Sequence, residues 1–406
     1  MPDIPETSLD EAQFPFPNGP HGSPPPAYAQ KRATCPVAPV VMVTGDKALL
    51  ATTYDDLREV YSDPRFSRNL RYPGAPRMWP LGADVSDDPN SLLNMDGPEH
   101  SRLRRIVQST FTTRRAEAWR PQVQSVADEL LDALETEAPP VDLIETFAFA
   151  LPVRIICQLL GVPAEDSPRF RAWSDIFLST STADLAEKVQ SAVEFAGYVG
   201  ALIDQRRRAP GTGLLDELIN ACDVDDRLNE DELTNMVVGL IIAGHETTGN
   251  VIGRGILTLL QHPDQLAALR DDPGLLPAAA EEILRVDMPA HTALLRVATD
   301  DVPLPSGGSV SKGQAVIAPI TAANFDPKYF PDPDTFNIRR AENKHVAFGH
   351  GPHFCLGAGL ARVELQVAIA SIIQRFPNLA LACDPQDLPW YDLGQICGLE
   401  RLPVTW

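Results

Sequence analysis

One helix constrains everything else in this chain. Between Asn229 and Gln261 apolar residues recur at helical period without a proline, Asn229 supplies a capping side chain, and Glu232 stands at the reciprocal capping-box position. At about 1.5 Å per residue the run spans on the order of 45–50 Å, the width of a whole globular molecule of this size. Only a helix through the centre of the fold needs that length. Its longest apolar stretch, Met236 to Ala243, falls far short of the roughly 20 residues required to cross a membrane.

The surrounding pattern predicts a mainly α-helical protein with a minor β subregion. Val40 to Leu49 and Ala51 to Tyr54 read as a hairpin bounded by Gly45 and Asp46, followed by a helix from Tyr54 to Tyr61. Amphipathic spacing then predicts helices over Glu99–Ser109, Phe111–Glu135, Asp142–Leu160, Ser167–Thr180 and Leu185–Arg208. Short strands return at Leu294–Ala298 and Ala315–Pro319, after a helix over Pro277–Val286. Ten of the 38 prolines precede residue 40, so residues 1–34 read as an extended lead-in and residues 35–406 as a single domain.

Fifty-five acidic against 34 basic residues give a net charge of −21, which argues against nucleic acid or an anionic membrane as the main partner. Six cysteines (Cys35, Cys157, Cys222, Cys355, Cys383 and Cys397) are scattered rather than framed for disulfides, and a reducing cytoplasm is the expected compartment.

Chemistry concentrates near the C-terminus, where Phe348-Gly349-His350-Gly351-Pro352-His353-Phe354-Cys355-Leu356-Gly357 runs into a helix predicted from Ala358 to Ile373. Glycines at 349, 351 and 357 let the backbone take left-handed or crowded conformations against something bulky, while loop amides and a helix N-terminus favour a thiolate at Cys355. Haem iron suits such a ligand. Two other readings stay open on these residues alone: a buried free cysteine, and a zinc site from His345, His350, His353 and Cys355 that lacks the usual second spaced pair.

A second anomaly lies inside the long helix. Ala243-Gly244-His245-Glu246-Thr247-Thr248 places a glycine and two β-branched residues where Ala or Leu would make a better helix. The small pair at 243 and 244 permits close approach of a flat ligand, and a threonine hydroxyl can bond the carbonyl one turn back.

Together the cysteine loop, the continuation Ala358-Gly-Leu-Ala361-Arg362, and this acid–alcohol segment resemble the cytochrome P-450 superfamily, over about residues 35 to 406. The resemblance implies its fold, a long central helix over a buried haem. It also implies haem b (iron protoporphyrin IX) with the Cys355 thiolate as axial ligand, bordered by Phe348, Gly349, Gly357, Ala243 and Gly244. Glu246 and Thr247 then deliver protons during oxygen activation, and His100, Arg104, Arg296 and His353 neutralise the haem propionates. Glu282 and Arg285, at i and i+3, are expected to join Arg339 in a buried charge network, with Phe325 standing where many relatives carry a basic residue.

The implied activity is that of a soluble bacterial monooxygenase which hydroxylates or oxidatively couples a mostly apolar small molecule, in secondary-metabolite or antibiotic biosynthesis. Trp79, Phe177, Leu178, Leu294 and Trp390 supply apolar candidates for the pocket, and His291 or Thr292 can orient a polar group. Macrolides, polyketides, terpenoids, peptides and cyclodipeptides all remain open. Dioxygen and a ferredoxin or flavodoxin with its reductase are the implied partners, docking near Arg114, Arg115, Arg340, Lys344 and Arg362. A peroxide-driven peroxygenase or a haem-binding sensor would use the same cysteine, and the sensor would have no use for Thr247.

Overall fold

The computed structural model describes residues 12–79, 88–178, 185–225 and 227–406. Its axis is the predicted helix, which runs from Glu230 to Gln261 with Asn229 as N-cap and the capping box closed by Glu232. The Asn229 carboxamide accepts from the Glu232 amide at 2.8 Å, and the Glu232 carboxylate accepts from the Asn229 amide at 3.0 Å. Arg102 also pairs with Glu232 and so tethers the helix start to the neighbouring helix Gly97–Gln108.

Glycines let other elements press into the central helix. A Cβ at Gly244 would lie 2.7 Å from Ile156, one at Gly249 2.9 Å from Phe149, one at Gly253 2.5 Å from Ile144, and one at Gly255 2.6 Å from Ile283. The helix is thus notched at four levels, three of them filled by the segment 144–156. That segment is not the single helix predicted from Asp142: it is a π-helical turn, Ile144–Ala148, followed by the α-helix Ala150–Leu160. The wider turn falls where the chain crosses the notches at Gly249 and Gly253, a setting in which π geometry recurs. Gly244 accordingly serves helix–helix packing, which corrects its expected role of admitting a flat ligand.

Helices Arg120–Glu135 and Ala358–Arg375 pack around the same axis in one apolar core. The predicted helix from Phe111 is broken into Thr113–Ala118 and Arg120–Glu135, with Pro121 in the first turn of the second piece.

The β subregion is a six-stranded sheet ordered Ala12–Phe14, Val37–Met42, Lys47–Ala51, Ala315–Ile317, Arg296–Ala298, Phe66–Ser67. Val40 pairs with Ala48 in the antiparallel hairpin, and Leu49 pairs in parallel with Val316. Over residues 12–34 the structure differs from the expectation of an extended lead-in, whose residues 1–11 lie outside the described residues. Ala12–Phe14 pairs in parallel with the strand Val37–Met42, Phe14 is fully buried, and Pro26–Thr34 is a helix whose Arg32 donates to the carbonyls of Ala322 and Phe325 at 2.7 and 2.8 Å. Proline was a misleading sign, because Pro26 occupies a first-turn position where its missing N–H costs nothing. No helix among the described residues is long and apolar enough to cross a membrane.

Candidate functional site

The cysteine loop is held by local geometry. Gly349 and Gly351 have φ of +74° and +70°, and a Cβ at Gly351 would fall 2.3 Å from the carbonyl oxygen of Tyr61, so only glycine fits there. Gly357 differs from the expectation: its φ is −81° and a Cβ would meet no protein atom. Its small size is not required by the chain itself. The Cys355 amide donates to the Phe348 carbonyl at 2.8 Å, closing the loop, and Arg104 donates to the Phe354 carbonyl at 2.6 Å, clamping it from the helix Gly97–Gln108.

Cys355 is exposed by area, yet it lies deep enough for burial to push its thiol up; the Gly357 amide, Arg104, Arg362 and the Ala358 amide oppose that rise. The chain alone therefore does not favour the thiolate, contrary to the sequence argument. A coordinated cation would complete the balance, because a metal deprotonates its thiol ligand outright.

Four cationic side chains were expected to gather, and three lie together. The His100 and His353 rings are 4.3 Å apart, and Asp96 sits 3.9 Å from His353. Burial, then His353, Arg104 and Arg296, lower His100 to about 4, which keeps it neutral near pH 7. Burial likewise lowers Arg296, whose guanidinium lies 4.8 Å from the ring of Tyr61. His100 Nε2 and Arg296 Nε are buried with no hydrogen-bond partner. Buried donors of this kind normally find an acceptor, and two orphans beside a third basic group, His353, fit the carboxylates of a haem. Arg104 is committed to the loop carbonyl.

Asp96 is a functional residue that the sequence reading missed. Ser67 donates to its carboxylate at 2.5 Å and the amides of Arg68 and Asn69 donate at 3.0 and 3.1 Å, so that despite burial the acid stays well below the usual carboxylate range and remains available to His353. Its position just before the helix Gly97–Gln108 was the only signal.

Beneath the loop, Glu282 and Arg285 are fully buried and joined at 2.9 Å through both guanidinium arms. The third member is Arg340, not Arg339: Arg340 Nε donates to both Glu282 oxygens at 3.1 and 3.2 Å, whereas Arg339 is exposed. Ile338 is buried at 0 % and the Asn337 amide donates to Glu282, so the backbone direction at this turn delivers residue 340 to the acid. Phe325 and Phe330 flank the Arg285 guanidinium at 5.2 and 5.4 Å, which explains an aromatic residue at 325. Asn324 links the network to the loop, accepting from the Val346 amide at 2.8 Å.

This pairing also thins the expected docking cluster. Arg340 belongs to Glu282, Arg362 is bidentate to Glu281 at 2.7 and 2.9 Å, Arg115 lies 3.9 Å from Glu217 and Lys344 lies 3.4 Å from Glu342, while Arg114 is exposed. His345 bonds the same Glu281 at 3.0 Å, so the four-residue zinc site does not form. Among the described residues Cys222, Asp223 and Glu230 do cluster, but Arg207 bridges both carboxylates.

On the central helix, Ala243 is exposed although its neighbours Ile241, Ile242, His245 and Glu246 are buried, so an open space borders it. Thr247, one turn on, donates its hydroxyl to the Ala243 carbonyl at 3.1 Å as anticipated. Glu246 is 1 % exposed and neither carboxylate oxygen has a hydrogen bond.

The pocket candidates are dispersed. Trp79 packs with Met42, Leu70 and Leu295 in the core over the sheet, and Leu178 is buried in the main core. The Phe177 side chain, like residues 80–87 and 179–184, lies outside the described residues. Leu294 is half-buried. His291 and Thr292 border a cavity of about 20 Å³ shared with Phe16, Asn18, Tyr28 and Ile396. There Asn18 Oδ1 meets His291 Nδ1 at 2.7 Å, and burial lowers His291 to about 3. Trp390 packs on Gly22 and lies 5.3 Å from Arg254, which itself donates to the carbonyls of Gly22 and Cys397 at 2.9 and 3.2 Å.

Comparison with known proteins accords with this geometry. The chain is 43% identical over 385 residues to nocardicin C N-oxygenase of Nocardia uniformis subsp. tsuyamanensis, covering 94% of this chain and 95% of that protein. It is 41% identical to mycinamicin IV hydroxylase/epoxidase of Micromonospora griseorubida, covering 98% and 100%. The crystal structure of the putative thioether synthase SgvP, involved in the tailoring step of griseoviridin, superposes with a TM-score of 0.93 at 40% identity over 98% of this chain and 100% of that one. With the Cytochrome P450 family model matching residues 38–387, the chain belongs to the cytochrome P450 family of haem-thiolate monooxygenases.

Proposed function

We propose that Cys355 is the axial ligand of haem b and that the enzyme oxidises a mostly apolar natural product with dioxygen, electrons coming from a ferredoxin or flavodoxin with its reductase. The observation that carries this reading is the convergence of a sulfur on helix-start amides with two buried side chains, the His100 imidazole and the Arg296 guanidinium, whose polar atoms lack partners. When bound, the haem supplies a thiolate-ligated iron that activates dioxygen.

The chain's own residues do the rest. His100, His353 and Arg296 hold the propionates, with Asp96 orienting His353, while Arg104 and the Glu282–Arg285–Arg340 network keep the cysteine loop at a fixed height. Glu246, a fully buried acid, is the source of the transferred proton. Thr247, whose hydroxyl rests on the Ala243 carbonyl, turns outward to pass it on. The phenyl rings of Phe348 and Phe354 lie 6.3 Å apart on the same loop. An acid and an alcohol side by side suit dioxygen chemistry rather than peroxide alone.

The relatives named for oxidising nocardicin C and mycinamicin IV act on secondary metabolites, and we assign this chain the same broad substrate class. Carbon monoxide added to the reduced, haem-loaded protein is expected to give the far-shifted Soret band of thiolate ligation, and Cys355→Ala to abolish it. Persistence of the band in that variant would overturn the assignment. A screen for substrate-induced spin change across natural-product classes then names the substrate.

A further inference from the structure

Glu246 is enclosed by groups that leave its carboxylate no conventional partner. Asn250, one turn on, donates its amide to the Glu246 backbone carbonyl at 2.8 Å rather than to the side chain. Tyr391, from the C-terminal hairpin, commits its hydroxyl proton to Asn250 Oδ1 at 2.9 Å. Arg171, on the helix Ser167–Leu178, lies over the Phe149 ring at 4.3 Å. Among the described residues two titratable groups remain: His245, on the central helix itself, and Asp175, one turn beyond Arg171 on the helix packed across it and within electrostatic reach of both Glu246 and His245.

The geometry of His245 fixes its protons. Its Nδ1 lies 2.7 Å from the Ile241 carbonyl, and a carbonyl only accepts, so Nδ1 carries a hydrogen. Its Nε2 is 3.2 Å from Glu246 Oε1, and both atoms are buried with no other partner. A neutral ring would therefore present a lone pair to a carboxylate oxygen at contact distance in a fully buried site, an arrangement of two acceptors that burial makes costly. One proton on either atom removes the conflict. The bond to the Ile241 carbonyl holds the ring so that Nε2 faces Glu246.

Resting on the role given above to Glu246, we propose that His245 and Asp175 are positioning residues of its proton supply, His245 sharing a stored proton with Glu246 and Asp175 restoring it from solvent. One proton leaves the pair toward Thr247, leaving a carboxylate beside a neutral imidazole, and one proton enters through Asp175, so each cycle returns the cluster to its starting state. Asp175 is suited to the task because it is half-buried while Glu246 is sealed. Burial and the Glu246 charge raise it to about 6, opposed by Arg171 and His245, which lets it take up and release a proton near neutrality.

The test needs no substrate. In haem-loaded protein, the infrared band of the protonated Asp175 carboxyl, assigned by its loss in Asp175→Asn, is expected to titrate near pH 6 and to shift to lower pH in Glu246→Gln. An unmoved midpoint would show that the two acids do not communicate, and would overturn the proposal. Electron consumption from a ferredoxin and its reductase provides the second readout. Asp175→Asn is expected to slow it about tenfold and to remove the inflection near pH 6, with Asp175→Glu restoring both; His245→Asn is expected to slow it similarly and raise the solvent isotope effect. A uniform slowing at all pH values that Asp175→Glu does not rescue marks a structural role and overturns the inference. If Glu246→Gln slows consumption while both other variants match the parent, this inference alone fails; if Glu246→Gln also matches the parent, the role given to Glu246 fails with it.

Discussion

At residue scale, two glycines of one loop do different work. Gly351 combines a φ of +70° with a Cβ position 2.3 Å from the Tyr61 carbonyl, so Gly351→Ala is expected to cost about 3 kcal/mol in denaturant unfolding. Gly357→Ala meets no protein atom and is expected to stay within about 1 kcal/mol of the parent in the haem-free protein, read by the same unfolding curve. Glu281 gives a pH prediction. Burial alone would raise its pKa, but hydrogen bonds from His345 and Arg362 outweigh that and lower it from 4.5 to about 2. The folded carboxylate binds its proton less tightly than the unfolded one, so its stabilisation is present above about pH 4.5 and disappears as pH falls toward 2. By linkage this is on the order of 3 kcal/mol. Glu281→Gln is expected to be less stable at pH 7 and to lose less on acidification, as thermal unfolding across that window would show.

At the scale of elements, the charge network separates what was legible from what was not. Arg340→Ala is expected to destabilise by about 3 kcal/mol, because it strips one partner from a fully buried carboxylate, whereas exposed Arg339→Ala is expected to change unfolding by less than about 0.5 kcal/mol. Equal effects would contradict the assignment. The central helix could be bounded to the residue because Asn229 and Glu232 announce its start through contacts only three positions apart. The cysteine loop was legible for a similar reason, since its glycines state a backbone requirement locally. The choice between two adjacent arginines was not, because it depends on how the chain turns after Ile338, whose side chain is anchored in the core. Gly244 was misread on the same ground: small size is visible in a sequence, but whether Ile156 or a ligand exploits it is settled by the facing helix. His245 and Asp175 went unremarked because their significance lies in a proton count across two helices.

At the scale of the whole molecule, the strand Ala12–Phe14 is structural. Phe14 is fully buried beside Met42 and Leu50, so Phe14→Ala is expected to cost about 3 kcal/mol by chemical denaturation, where a loose lead-in would show no effect. The notched central helix has a wider consequence. Turning it by one residue, about 100°, would bring side chains of its own against Ile156, Phe149, Ile144 and Ile283 in place of glycine backbone. It behaves as a key with four cuts, which enters its lock at a single angle. The direction in which Glu246 and Thr247 point is thereby dictated by greasy contacts on the opposite flank, and the aim of the reactive centre can be spoiled by a methyl group that never comes near it.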